Sequence, residues 1–356
     1  MRIALSAMNC SNTGISESYV AYNWVCQIAR HNTVDLISAE ICDLGLENVT
    51  SHLISKKWWP LRLMSDRFTA AVKPDYFIFD ARAAKRFKRI AGEWDIFHHL
   101  VPQAPRYPSA LGRRANRFVL GPIGGGLRVP PAFRALIEGN EPKFARLRQL
   151  DALRFRYDPW LRATYQAADV VLLTAPYMLD IIPNIYHSKV LFIPETGIDA
   201  EKYAKETCCR VTRQEIEILY VGRITPYKGL EFMLRAIAEL PIEIKRRTLV
   251  HIVGDGEPEY ERRCRTIAEN RCTPANVLFH GRRSKDDVMQ FYREADIFCF
   301  PTLAETTGNV LLEAMAMGLP VVSTKYGGPM AVVDRESGIL VEPNAPDSFV
   351  NGSPAG

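Results

Sequence analysis

The chain lacks any stretch of ~18 consecutive apolar residues, so it offers no segment that could cross a bilayer as a helix. Its first residues, MRIALSAMNCSNTG, give way to polar turn residues too soon to form the apolar centre of a signal peptide. No Cys-x-x-Cys pair occurs among Cys10, Cys26, Cys42, Cys208, Cys209, Cys264, Cys272 and Cys299, and their spacing suits neither a zinc site nor a disulfide framework. Such thiols are expected to be buried, reduced and small, as in a cytoplasmic protein. A Gly-x-Gly-x-x-Gly turn after the first strand is also missing, which argues against a nicotinamide-dependent oxidoreductase. No low-complexity tract or short repeat is visible.

What is present is a globular composition. The 356 residues are 47% apolar and 24% charged, enough for two α/β domains of ~150–200 residues, each with its own core. The net charge of +5 conceals an asymmetry. Residues 1–194 carry 25 Lys/Arg against 16 Asp/Glu, whereas residues 195–356 carry 20 against 24. A basic first half suits an anionic partner such as a membrane surface or a phosphorylated lipid. Nucleic acid fits the charge, but no nucleic-acid-binding motif accompanies it.

Short apolar runs alternate with amphipathic stretches, the pattern of βα units around a parallel sheet. Strands are predicted at Met1–Ala7, Asp75–Phe79, Asp95–His98, Phe118–Leu120 and Val170–Thr174, with a helix over Glu17–Arg30. The stretch Lys143–Ala168 reads as helical, interrupted at Pro159. Domains are expected at residues 1–195 and 196–356. The second repeats the grammar more sharply. Its strands are predicted at Ile216–Val221, Leu249–Val253, Val277–His280, Ile297–Phe300 and Val321–Ser323. Helices at Leu230–Leu240, Pro258–Glu269, Lys285–Ala295 and Asn309–Met317 separate them. In such a fold, ligands bind beyond the carboxyl ends of the strands.

Two stretches carry the chemistry. In AETTGNVLLEAMAMGLPVV, Glu305 leaves a strand and Glu313 lies about two helical turns further on, with a helix start between them. Open amides at that start are suited to phosphate, while the carboxylates are suited to hydroxyls at the two ends of a nucleotide sugar. The bland reading is a capping residue and a surface charge. In YVGRITPYKGLEFML, Arg223 and Lys228 occupy a strand-to-helix loop where two cations could converge on a diphosphate; the bland reading is a solvated loop. WDIFHHL places His98 and His99 at a strand end, and adjacent side chains face opposite ways, so His98 is the chosen candidate. GPIGGG, Gly121–Gly126, is either a phosphate cradle or a site of close backbone packing. Ser55–Met64, Arg82–Arg89 and Arg113–Arg117 mix basic residues with Trp58 and Trp59, either a membrane-facing surface or a solvated face over core tryptophans.

Taken together, the motifs of residues ~216–343 resemble the retaining glycosyltransferases of family 4, the glycogen-synthase-like group with the two-domain B-type fold. The resemblance rests on Gly222-Arg223 with Lys228-Gly229, Gly254-Asp255-Gly256, His280-Gly281-Arg282, Ala295-Asp296-Ile297, the Glu-x7-Glu spacing of Glu305 and Glu313, Gly318-Leu319-Pro320-Val321-Val322, and Gly327-Gly328. It implies an α/β chain of two Rossmann-like domains facing across a cleft. The activity implied is transfer of a hexose from a nucleoside-diphosphate sugar to a glycan or lipid-linked acceptor, as in polysaccharide biosynthesis, with retention and without a metal or other cofactor. No Asp-x-Asp triplet is present.

By the same resemblance, Arg223 and Lys228 would hold the diphosphate, Glu305 the transferred sugar and Glu313 the ribose. Amides of Thr307, Gly308, Asn309 and Val310 would approach the phosphates, Arg282 and Arg283 the base, Gly14 the diphosphate, and His98 the donor sugar. Members of the family continue beyond the Gly338–Pro343 region, so the helices that close the second domain are expected to be missing here. That makes a catalytically silent nucleotide-sugar-binding protein the alternative. An epimerase or phosphorylase on the same scaffold is a more distant rival.

Overall fold

A computed structural model describes residues 1–12, 17–57, 73–89, 92–134, 151–195, 197–198, 203, 214–273 and 275–343. The chain divides into two compact units, one of Met1–Gly126 with Pro142–Thr196 and one of Leu127–Glu141 with Gly197–Gly356. The segment Leu127–Glu141 therefore belongs with the second unit, although it precedes the 195/196 division read from the sequence.

The first unit is built on a seven-stranded parallel sheet. Its strands are β1 (Arg2–Ala7), β2 (Thr33–Ser38), β3 (Val49–Leu53), β4 (Ile96–Val101), β5 (Phe118–Ile123), β6 (Val170–Leu173) and β7 (Val190–Phe192), in the spatial order β3-β2-β1-β4-β5-β6-β7. Helices α1 (Glu17–Ala29), α2 (Pro74–Phe87), α3 (Asp151–Tyr157) and α4 (Pro159–Ala167) accompany it. The central strands are buried along nearly their whole length, as parallel sheets covered on both faces require, with Asp35, His98 and His99 among the buried polar side chains.

The predicted strand Asp75–Phe79 is instead the first part of α2. Pro74 stands at the helix start, Asp75 lies in the first turn, and Tyr76, Phe79, Ala83, Ala84 and Phe87 are buried at helical spacing. Five residues rich in aromatics look like a strand; only the full face of the helix reveals the longer period. Within the predicted helix Lys143–Ala168, residues 143–150 lie outside the described residues. The remainder is two helices, and the break has a positive cause besides proline: the Asp158 side chain accepts hydrogen bonds from the amides of Trp160 and Leu161, capping α4.

The second unit has a six-stranded parallel sheet of β8 (Ile216–Val221), β9 (Thr248–Val253), β10 (Asn276–Gly281), β11 (Ile297–Phe300), β12 (Val321–Thr324) and β13 (Gly338–Val341), ordered β10-β9-β8-β11-β12-β13. Between them run α5 (Leu230–Ala238), α6 (Pro258–Ile267), α7 (Lys285–Glu294) and α8 (Asn309–Ala316). Strands β2, β3, β7 and β13 were not predicted. β3, VTSHL, and β7 are exposed edge strands, and so lack the apolar run that marks a buried strand.

Both sheets follow the doubly wound Rossmann order, in which direction reverses between the first and fourth strands. In the second unit β8 and β11 are hydrogen-bonded neighbours. Connections leave these two strands toward opposite faces, opening a crevice at their carboxyl ends. The loops at that crevice are locked together through backbone. Gly229 has φ of 71°, and a β-carbon there would lie 1.9 Å from the Pro301 carbonyl oxygen. The Leu303 amide donates to the Tyr227 carbonyl at 2.7 Å, and the Thr302 hydroxyl donates to the same oxygen at 3.2 Å.

Among the described residues no helix is long and apolar enough to cross a membrane. Cys10, Cys264 and Cys272 are buried and free, Cys26, Cys42 and Cys299 are free and partly buried, and Cys208 and Cys209 lie outside the described residues.

Gly229→Ala is expected to destabilise the protein by more than the ~1–2 kcal/mol of left-handed strain, because the clash with Pro301 adds to it. Gly281→Ala is the comparison, since Gly281 shares the positive φ but has nothing within 4 Å. Equal losses in chemical denaturation would show that the loop contact contributes nothing.

Candidate active site

The charged centre of the second unit lies at the switch between β8 and β11. Lys228 follows a short turn after β8, and Glu305 ends the loop after β11. The Lys228 ammonium donates to Glu305 Oε2, and its nitrogen lies 5.5 Å from the centre of the Phe300 ring. Their side chains are 23% and 17% exposed, so the pair is shielded from bulk water yet open to a ligand. The second Glu305 oxygen accepts from the Thr306 amide at 3.2 Å. Removing one partner from such a pair leaves a partly desolvated charge uncompensated.

Thr307 and Gly308 lead into α8, which begins at Asn309 and continues through Val310. Gly308 caps it with φ of 87° and permits the chain to turn sharply from the Glu305 loop. Gly328 backs the loop: a β-carbon there would come within 2.6 Å of the Thr306 carbonyl and the Thr307 amide. The Gly328 amide donates to the Glu305 carbonyl at 2.8 Å. Backbone contact therefore holds Glu305 and the amide-bearing start of α8 in one place.

Glu313 projects from the second turn of α8. Its carboxylate accepts from the Tyr292 hydroxyl at 3.1 Å and from the hydroxyl of Tyr203. Burial raises its pKa above the ordinary carboxylate value, while the two tyrosine hydrogen bonds act in the opposite direction. It is not a surface charge. Sequence reasoning missed both tyrosines because they come from other elements, and nothing in their spacing relative to Glu313 signals the contact.

The remaining candidates of this unit lie at strand ends. Arg223 is exposed just after β8, its carbonyl accepting from the Tyr220 hydroxyl at 3.1 Å. Arg282 and Arg283 are exposed after β10, and Arg283 borders a hollow of about 220 Å³ lined also by Asp287, Gln290, Phe291 and Glu294. A larger hollow, about 450 Å³, lies in the first unit between Phe155 and Leu179–Asn184 and contains none of the residues singled out in the sequence.

In the first unit His98 is 5% exposed, and its Nε2–H donates to the Gly121 carbonyl at 2.7 Å. The Trp24 ring meets it edge-on at 5.4 Å. Burial lowers its pKa to about 4, so it is neutral at physiological pH. His99 is equally buried and likewise lowered to about 4. Gly14 lies outside the described residues, as do Trp58, Trp59 and the rest of 58–64. Arg82 and Arg86 are occupied by the carbonyls of Leu53, Ser55 and Lys57, and Lys56 pairs with Glu40 at 2.9 Å. Among the described residues no group of three or more His, Cys, Asp or Glu side chains is arranged to hold a metal ion.

Comparison with known proteins places this geometry. Residues 210–353 match the family described as glycosyl transferases group 1. An uncharacterized glycosyltransferase of Methanocaldococcus jannaschii is 34% identical over 143 residues, 40% of this chain and 36% of that protein. A D-inositol 3-phosphate glycosyltransferase of Corynebacterium jeikeium is 36% identical over 138 residues, 37% of this chain and 33% of that protein. The match thus spans about a third of the length of each relative. The crystal structure of HepE from Anabaena in complex with UDP is similar with a TM-score of 0.58 at 17% identity, over 99% of this chain and 88% of that one. The fold is accordingly that of the B-type glycosyltransferases, with two Rossmann-like domains.

Replacing Tyr292 by Phe removes a donor that favours the Glu313 carboxylate, so the Glu313 pKa is expected to rise further. Nucleotide affinity that depends on the ionised carboxylate should then be lost at a higher pH than in the wild type. Calorimetric titration of nucleoside diphosphates across pH reads the shift; a midpoint unchanged in Tyr292→Phe would refute the coupling.

Proposed function

We propose that the protein is a glycosyltransferase that moves a hexose from a nucleoside-diphosphate sugar to a hydroxyl of a glycan or lipid-linked acceptor, with retention and without a metal. The observation that carries this reading is the Lys228–Glu305 pair, held at the switch point of the second sheet beside the start of α8. A diphosphate is the natural competitor for Lys228, and sugar hydroxyls are the natural donors to Glu305 once the lysine turns away. Binding of the donor therefore exchanges one set of partners for another and leaves neither charge exposed to an apolar surround.

In this reading Arg223 and Lys228 neutralise the departing nucleotide, and the start of α8 at Thr307–Val310 offers amides to the phosphates. Glu313 accepts ribose hydroxyls from a position fixed by Tyr292 and Tyr203. Arg282 and Arg283 approach the base, with the hollow beside Phe291 as the adjoining surface. The donor nucleotide in the similar HepE structure is UDP, which makes uridine the first base to test. For His98 the reading keeps only a hydrogen-bonding role toward the donor sugar. A buried imidazole with its pKa near 4 is neutral at physiological pH, and its remaining N–H is held by the Gly121 carbonyl, so it does not serve as a general acid. Contact with an anionic membrane through the basic first half is retained as part of the proposal, at residues other than Arg82, Arg86 and Lys56, which have internal partners.

Lys228→Ala is expected to lower donor turnover by ~10²–10³-fold, the usual cost of removing one electrostatic stabiliser of a transition state. Glu305→Ala should depress turnover while leaving nucleoside diphosphate affinity equal or tighter, because it frees Lys228. Steady-state kinetics and calorimetry test both; wild-type turnover in either variant removes the assignment. Activity abolished by EDTA and restored by a divalent cation would overturn the metal-free mechanism.

A further inference from the structure

The chain leaves the first unit after Gly126, and the segment Leu127–Glu141 belongs to the second, far in sequence from the rest of that unit. Its described part, LRVPPAFR, is stiffened by two prolines. Pro130 has φ of −52° and ψ of 142°, a polyproline-like conformation, and Pro131 opens a single turn of 3-10 helix that ends at Phe133. The Phe133 amide closes that turn on the Pro130 carbonyl at 2.9 Å. Arg128, Pro131, Ala132 and Arg134 are exposed, whereas Val129, Pro130 and Phe133 are buried.

The Phe133 ring is fully buried and meets Phe232 of α5 edge-on at 4.9 Å. Val129, Phe133, Phe232 and Leu303 form a small core of their own, separate from the main core of the second unit, with Tyr227 and Ala304 packed against it. Tyr227 immediately precedes Lys228, and Ala304 immediately precedes Glu305. The loops joined by the Leu303 amide and the Tyr227 carbonyl therefore share one apolar plug, supplied by a distant stretch of chain.

A second set of contacts ties the same segment to the Glu305 backbone. The Tyr326 hydroxyl donates to the Arg128 carbonyl at 2.5 Å. Gly327, with φ of 68°, is crowded from both directions: a β-carbon there would come within 2.4 Å of Leu127 Cδ2 and 2.6 Å of the Glu305 carbonyl oxygen. Segment 127–133 thus packs against the neighbours of both members of the Lys228–Glu305 pair. The main core of the second unit contains none of these residues, so the segment adds to the loops rather than to the sheet.

We infer that Phe133 is a positioning residue for the proposed transfer: packed among Tyr227, Leu303 and Ala304, it fixes the separation of Lys228 and Glu305. The inference rests on the glycosyl-transfer reading and adds to it a residue that acts only through its neighbours. Removing the ring leaves the lysine and the carboxylate in place chemically but frees the loops that carry them. A misplacement on the order of 1 Å is enough to slow a reaction ~10²-fold.

The full-chain variants Phe133→Ala, Phe133→Leu and Leu234→Ala test this, each studied well below its thermal midpoint. Leu234 is fully buried on α5 but belongs to the main core, so its loss controls for destabilisation alone. Acetylation of Lys228 by acetic anhydride, read by mass spectrometry, reports how firmly Glu305 holds the ammonium. Phe133→Ala should raise that rate about fivefold, the upper range for losing a partly exposed ion pair, with Phe133→Leu intermediate and Leu234→Ala like the wild type. Transfer or hydrolysis of uridine, guanosine and adenosine diphosphate glucose gives the second readout. Phe133→Ala should lower kcat about tenfold or more while KM stays within about threefold, because positioning is lost and the binding groups remain. If Phe133→Ala does not fold, the comparison of Phe133→Leu with Leu234→Ala decides, a rise in the first alone being expected. Equal acetylation in the wild type and the Phe133 variants, or an equal rise in Leu234→Ala, overturns the positioning role. Wild-type turnover with kcat unchanged in Phe133→Ala also sinks it and leaves the glycosyl-transfer reading standing. Faster acetylation in Phe133→Ala, with no turnover of any donor by the wild type, upholds the hold on the pair and sinks the glycosyl-transfer reading instead.

Discussion

The second unit depends on one close approach, the loop after β8 lying backbone to backbone against the loop after β11. The Pro301 carbonyl occupies space that any side chain at residue 229 would fill, and the Tyr227 carbonyl accepts from both Thr302 and Leu303. Lys228 and Glu305, which belong to different βα units, meet because those loops cannot separate without breaking these contacts. Parallel strands supply the coarse placement, bringing both loops to the same end of the sheet. Glycine supplies the last ångströms.

The two carboxylates of the second unit are held by different chemistry. Glu305 faces an ammonium, a partner that a diphosphate can draw away. Glu313 faces two tyrosine hydroxyls, neutral donors that a diphosphate draws on less strongly than on an ammonium. One carboxylate can exchange its partner on ligand arrival, and the other holds a fixed orientation. In the proposed function, a site that must both bind and release a nucleotide sugar is served by having one of each.

The first unit has the same strand order but different chemistry at its strand ends. Its strand ends carry neutral, buried groups in place of exposed cations: His98 and His99 with depressed pKa values, and the unpaired Gln103 and Thr174. Its basic character lies elsewhere, and part of it serves the fold, since Arg82 and Arg86 bind carbonyls at the end of β3. Charge composition of the half therefore overstates the charge available to a partner.

The alternation of strands and helices, the positions of Lys228, Glu305 and Glu313 and the start of α8 were all legible in the linear sequence, because periodicity and loop residues are local properties. Locality also misled: five residues around Tyr76 carried a strand's composition while belonging to a helix whose face extends to Phe87. Edge strands escaped notice because exposure erases their apolar signature. What only the tertiary structure decided is partnership. That Lys228 bonds to Glu305, that two tyrosines hold Glu313, and that Gly229 admits the Pro301 carbonyl follow from strand order and from backbone approach between distant segments. Those distances are fixed by packing of the whole sheet, and no short stretch of chain encodes them.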